Sequence, residues 1–197
     1  MKTKKILTGI ALCLFASAAS ATIIEFTTGG QSSSIYPGQS FTTGAFDVGQ
    51  TGWDFTSFTW LDSDGTTPVG EGTIFVFADL ANNTSFTPNS MSSGSTGYVS
   101  QSDIYAGSAY SFSSAVTLAE NTKYWILTDT AFTHGRADTG SYSGGNRFYA
   151  VDATTNWGMS SNGDSNFQAT LTAVPEPSSI VLLLLGTFAG LVAFRRR

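Results

Sequence analysis

The chain has 197 residues, 41% of them apolar, 13% aromatic and only 12% charged. That charged fraction is about half the average for a soluble domain, which excludes a long charged coiled coil, a basic nucleic-acid binder and a chain held open by charge. Once two unusual ends are set aside, one domain's length remains, enough for a sizeable core.

The start is Met1-Lys2-Thr3-Lys4-Lys5, an apolar run over residues 6–16, then Ser17-Ala18-Ala19-Ser20-Ala21. A basic stretch, a short apolar stretch and an A-x-A site predict a signal peptide over residues 1–21, cut before Thr22. The apolar run is too short to span a hydrocarbon core of about 30 Å. Cys13, the only cysteine, lies inside it. The mature chain would then have no disulfide, thiolate nucleophile or Cys-based metal site.

Residues 22–173 read as the ectodomain. Its three basic residues, Lys123, Arg136 and Arg147, face thirteen acidic ones, a net charge of −10. Phosphate backbones and anionic membrane surfaces repel such a domain, so no nucleic-acid partner is expected. Ser and Thr supply 46 of the 153 residues from 22 to 174, and no apolar stripe has helical period. Aromatic and β-branched residues fall instead in short runs between Gly, Asn, Asp and Ser, the pattern of an all-β, antiparallel β-sandwich or jelly roll.

Residues 23–26 open the domain as a strand. Residues 53–61 alternate as Trp53, Phe55, then Phe58, Trp60; the phase slips at Thr56-Ser57 and predicts a β-bulge there. Residues 73–78 carry Ile74-Phe75-Val76-Phe77, apolar on both faces, as in a central strand. The polar stretch 82–97 reads as a surface loop. Residues 115–118 and 123–128 are predicted to form a hairpin around 119–122. Residues 133–146 are Gly-rich and loop-like, 147–151 form a strand, and Phe167, Ala169 and Leu171 alternate with polar residues in a half-buried last strand.

Few side chains in the middle suggest chemistry. His134 is its only histidine, and with no Gly-x-Ser-x-Gly turn beside the many serines it reads as a solvated loop residue. The domain is therefore expected not to be an enzyme and to need no cofactor. Asp62 and Asp64, and Asn162, Asp164 and Asn166, have the alternate spacing that gathers oxygens around calcium. Turn chemistry explains both stretches more simply, and neither completes an EF-hand. Trp53, Trp60 and Trp125 lie in strands and read as core. Trp157, in a loop, is the residue to bet on for a carbohydrate platform, together with Tyr142 and Tyr149.

After Val174 come Pro175, Glu176 and Pro177, an uncharged stretch over 178–194, and Arg195, Arg196 and Arg197. Two prolines around Glu176 keep that stretch extended. The apolar stretch is near the lower length limit for a membrane helix. It is apolar all round, and its arginines would hold that end in the cytoplasm. Residues 174–197 resemble the PEP-CTERM sorting signal of Gram-negative bacteria. The resemblance implies that Pro175, Glu176 and Pro177 are read by an exosortase, that residues 178–194 are a transmembrane helix with an arginine flank, and that the host makes extracellular polysaccharide. Two strings in the middle, residues 72–77 and 116–127, with Gln39-Ser40-Phe41, resemble the choice-of-anchor group of ectodomains, which supplies no catalytic residues.

The expected protein is exported and non-enzymatic. Its ectodomain faces the periplasm until processing passes it to the cell surface or matrix. The alternative is a carbohydrate-binding module for extracellular polysaccharide, with calcium as a candidate ion.

Overall fold

Short aromatic and β-branched runs, each closed by Gly, Pro or Asx, fold as strands throughout the computed structural model. It describes residues 21–47, 50–78, 80, 86–139, 142–160 and 163–175. Residues 1–20, most of the expected signal peptide, and the whole stretch 176–197, with the expected transmembrane helix, lie outside the described residues.

The strands are β1 (Ala21–Phe26), β2 (Gln31–Thr42), β3 (Gln50–Leu61), β4 (Pro68–Val69), β5 (Ile74–Ala78), β6 (Tyr98–Gln101) and β7 (Tyr110–Ser111). They continue as β8 (Thr117–Leu118), β9 (Lys123–Thr128), β10 (Phe132–Ala137), β11 (Arg147–Ala150), β12 (Gly158–Met159), β13 (Asp164–Ser165) and β14 (Phe167–Pro175). Two antiparallel sheets form a β-sandwich, with no α-helix among the described residues. In the first sheet β14 lies between β1 and β3, and the far edge of β3 is shared by β8, β7 and β4 in turn. The second runs β12-β11-β2-β9-β5-β6, and β10 joins β2 to β13.

The predicted bulge is present. Ser57 pairs with Thr170 and Phe55 with Leu171, so Thr56 is the extra residue. Its hydroxyl donates to Thr170 O at 3.1 Å. The extra residue restores phase, and Phe55, Phe58 and Trp60 are all buried; without it one pair would face solvent. These rings meet Phe41, Ile74, Val76, Tyr124, Ile126 and Phe167 between the sheets. Phe58 and Phe167 stack with centroids 5.7 Å apart. Each such buried side chain contributes about 1.5–3 kcal/mol.

A second apolar cluster covers the outer face of the second sheet: Phe75 and Phe77 of β5, Trp125 and Leu127 of β9, Phe148 and Ala150 of β11, with Met91 and Trp157. That is why β5 and β9 are apolar on both faces. The cover includes part of the polar stretch expected to be a plain surface loop. A single 3₁₀ turn, Pro88–Ser90, is closed by reciprocal Thr87 and Ser90 contacts, and it buries Pro88 beside Met91.

Two expectations are corrected, and one strand is new. Residues 115–118 and 123–128 are not a hairpin: β8 pairs with β3 in the first sheet, whereas β9 pairs with β2 and β5 in the second. The turn between them is an arch from sheet to sheet. Asn121 takes φ 48° in it, and the Tyr124 hydroxyl accepts the Ala119 N–H at 2.8 Å. Part of the Gly-rich segment 133–146 is strand β10 rather than loop. The long β2 had no strand signal, because serines fill it and Pro37 interrupts it. Pro37 sits where β2 changes partner, from β10 along 31–35 to β9 along 38–42, so no ladder donor is missed there.

Candidate functional site

At one edge of the sandwich, β10, β2 and β11 leave a depression of about 390 Å³. Strand alternation puts its residues together. Along β11, Phe148 and Ala150 enter the outer cluster, so Arg147 and Tyr149 point the opposite way, into the depression. Ser33 and Ile35 come from β2, Arg136 from β10, and Asp138, Val151 and Ser160 from the flanking loops. Two of the three basic residues between positions 22 and 173 thus share one site.

One carboxylate serves both guanidinium groups. Asp138 Oδ1 accepts a short bond from Arg136 Nη1 and lies 3.7 Å from Arg147 Nη1, beyond hydrogen-bonding distance. The Arg147 side chain is 5% exposed; its guanidinium carbon lies 5.1 Å from the Tyr149 ring centroid, a cation–π contact. Among the described residues, Nε of Arg136 and Nε of Arg147 have no hydrogen-bond partner. Burial, and then the nearby Arg136, push the Arg147 pKa below its ordinary value, while Asp138 pulls it back. It stays charged at neutral pH nonetheless.

His134 is fully buried rather than solvated. It sits beside Trp60 and Phe132, each 6.0 Å away between ring centroids. Burial lowers its pKa to about 4, and Arg147 and Arg136 push the same way. It is neutral, but nothing from solvent reaches it.

The expected carbohydrate platform does not assemble. Trp157 is 1% exposed and belongs to the outer cluster. It lies so close over Gly38 that a Cβ there would stand 3.1 Å from its ring. Tyr149 lies on the opposite face of the sheet, in the depression. Tyr142 packs edge-on against Phe167, centroids 5.4 Å apart. A loop tryptophan followed by glycine gave no sign that it was covering a sheet.

The calcium stretches also separate. Asp64 Oδ1 accepts the N–H groups of Thr66 and Thr67 at 2.7 and 3.1 Å, and Asp62 Oδ1 that of Asp64 at 3.1 Å. The Asp62 side chain beside it, and then the Thr66 hydroxyl and the Thr66 and Thr67 N–H groups, hold the Asp64 pKa well below the usual carboxylate range. Asp164 is buried, which raises its pKa, and it accepts from Gln39 Nε2 at 3.0 Å and Tyr142 N–H at 3.2 Å. Asn166 is fully buried and bonded to Gly29 and Asp62. Turn and clasp bonds therefore occupy these oxygens; Asn162 lies outside the described residues. Among the described residues no three His, Cys, Asp or Glu side chains gather.

At the other end, β14 runs to Pro175, pairing Ala173 with Trp53, Val174 with Gly52 and Pro175 with Gln50. Glu176, Pro177 and Arg195, Arg196 and Arg197 lie outside the described residues. A family model described as the PEP-CTERM protein-sorting motif matches residues 173–197. The protein carries a PEP-CTERM sorting motif. The motif implies export and sorting to the cell envelope, with an exosortase as processing partner. The match covers the C-terminal 25 residues and overlaps the sandwich only at Ala173–Pro175, the end of β14. No curated protein and no solved structure matches the chain.

Proposed function

We propose that this protein is a non-enzymatic component of the cell surface or extracellular matrix, whose sandwich is displayed outward by its PEP-CTERM tail. One observation carries the reading: Pro175 is at once the last residue of β14 and part of the matched motif. The folded domain and its address are therefore contiguous. The burial of His134 supports a role without turnover, because the one imidazole of the domain cannot meet a substrate. The test is pulse labelling in cells that hold the matching exosortase. The C-terminal segment should leave the exported protein, and replacing Glu176 and Pro177 by alanine should retain it. Exported material that keeps its full C-terminus would contradict the proposal.

A second reading, a carbohydrate-binding role at the surface, is supported by the depression. Tyr149, the Ser33 and Ser160 hydroxyls and two guanidinium groups converge there, the mixture of apolar face and directional donors that sugar recognition uses. Titration with oligosaccharides tests it.

A further inference from the structure

We propose that the Arg136–Arg147 depression holds the carboxylate of an acidic sugar unit, a uronate, with one guanidinium supplied by each of two adjacent elements. The inference rests on the saccharide reading above and names its chemistry.

Charge is the first ground. Two guanidinium groups and one carboxylate leave an excess of one positive charge inside a domain whose net charge is −10. Asp138 is a single carboxylate shared by both, hydrogen-bonded to Arg136 and ion-paired with Arg147 only at 3.7 Å. Arg147 is almost fully buried yet shares its one carboxylate partner with Arg136 and makes no hydrogen bond to it; such a half-paired buried cation is costly, and an oxyanion from outside completes the pairing. Geometry is the second ground. The guanidinium fork donates two parallel N–H bonds, which match the two oxygens of a planar carboxylate. Arg147 is held in place against Tyr149, so little freedom is lost on binding. The Ser33 and Ser160 hydroxyls flank the pair and suit ring hydroxyls. The acidic surroundings also disfavour polyphosphate, which would bring far more negative charge than one carboxylate per sugar.

The full chain in a non-ionic detergent would be titrated calorimetrically at low salt with an oligomer of glucuronic acid, a neutral glucose oligomer of equal length, free glucuronate and sodium sulfate. The uronate oligomer should bind at least about tenfold more tightly than the neutral one, as a charge-assisted bond implies, and its affinity should fall with added salt. Free glucuronate should compete more weakly, which separates a polymer unit from a small metabolite as the source. Arg136→Gln should weaken uronate binding by about tenfold. Asp138→Asn should tighten it roughly threefold by removing a competing carboxylate. That side chain is 48% exposed, so the change does not endanger folding, and no purely structural role gives tighter binding. Equal binding of the neutral oligomer, sulfate binding as tight as uronate, or an Asp138→Asn variant that binds no better would each overturn the uronate site. In the first of these cases the saccharide reading survives; no binding of either oligomer overturns both.

Discussion

Replacing Asn166 by alanine should be among the most damaging single changes in this protein. Asn166 is fully buried at the crossover between β13 in one sheet and β14 in the other. Its amide donates to Asp62 O at 2.7 Å and Gly29 O at 2.8 Å, and its Oδ1 accepts the Gly29 N–H at 2.9 Å. One side chain thus joins the β1–β2 link, the end of β3 and the start of β14. Alanine orphans one donor and two acceptors. Each buried orphan costs about 1–3 kcal/mol, and Asp62 is only partly buried, so water relieves part of its share. The expected loss is roughly 3–6 kcal/mol, a large part of the ~5–15 kcal/mol that holds a domain folded. Little relaxation is available, because a Cβ on Gly29 would already lie 2.6 Å from the Ala137 nitrogen. Urea unfolding of the full chain, followed by tryptophan fluorescence at pH 7, measures the loss. Asn166→Asp keeps the shape and the Gly29 N–H bond but sets a carboxylate against two carbonyls. It should be comparably damaging at pH 7 and recover in part in acid, where protonation restores one donor. A loss below about 1 kcal/mol for Asn166→Ala would refute the clasp. So would a calcium-dependent rise in the wild-type midpoint that this variant abolishes, since it would make Asn166 a cation ligand.

His134 supplies a pH dependence of definite sign. Its folded pKa, about 4, is below the unfolded value, so the unfolded chain takes the proton first and stability falls as pH drops from about 6.5 towards 4. The slope is about 1.4 kcal/mol per pH unit, roughly 3 kcal/mol across the window. His134→Phe should lack this share, and a variant-to-wild-type difference that is the same at pH 7 and pH 4.5 would show a solvated imidazole. The Tyr110 hydroxyl donates to Glu71 O at 2.9 Å and accepts the Glu71 N–H at 3.1 Å. Tyr110→Phe should cost about 1–2 kcal/mol and speed hydrogen exchange at the Glu71 amide; unchanged exchange would count against this bond. Gly65 has φ 71°, and a Cβ there would strike the Thr27 carbonyl. Gly65→Ala should lower the unfolding midpoint markedly, whereas the same change at Gly44, with open space around it, should not. A short Gly-Ser insertion between Thr172 and Ala173 leaves the motif intact but lifts its start off β3. Pulse-chase should then show faster loss of the C-terminal segment, and an unchanged rate would mean that strand pairing does not hinder processing.

What the sequence disclosed was what depends on local pattern. The slip at Thr56 showed in the spacing of Phe55 and Phe58, because one extra residue inverts a two-residue period. The double-faced runs in β5 and β9 showed likewise, although a second apolar cluster could not be inferred from them. Partnership was not legible. β8 and β9 look like hairpin arms because the turn between them is short, yet an arch has equally short turns and differs only in which sheet each arm joins. β2 was hidden because Ser33, Ser34 and Pro37 lack strand propensity and are held by pairing with residues about a hundred positions away. The depression escaped for the same reason. Arg136 and Arg147 stand in separate strands, and only their common neighbour β2 brings them together. A signal existed, in that two of three basic residues fell within one short segment of an acidic domain, but charge counts gave it no meaning.

The two ends of β14 orient the molecule. Its start, Phe167, follows Asn166 and β13, whose Ser165 pairs with Arg136 beside the depression. Its end, Pro175, enters the sorting motif. The strand is nine residues long, so its two ends stand about 26 Å apart at roughly 3.3 Å per step. Between Pro175 and the apolar run at Ile180 there are only four residues, a reach of about 14 Å even when extended. Were that run in the membrane, the Gln50–Gly52 end of β3 would stand close to the lipid and the arginine depression at the far end of the sandwich. Pro175 has no N–H to give the ladder, and the register already shifts between Val174 and Pro175, so pairing is irregular where β14 enters the matched motif. The same strand therefore separates an end that runs into the sorting motif and lacks a ladder donor from one clasped by Asn166, and the arginine depression lies at the clasped end.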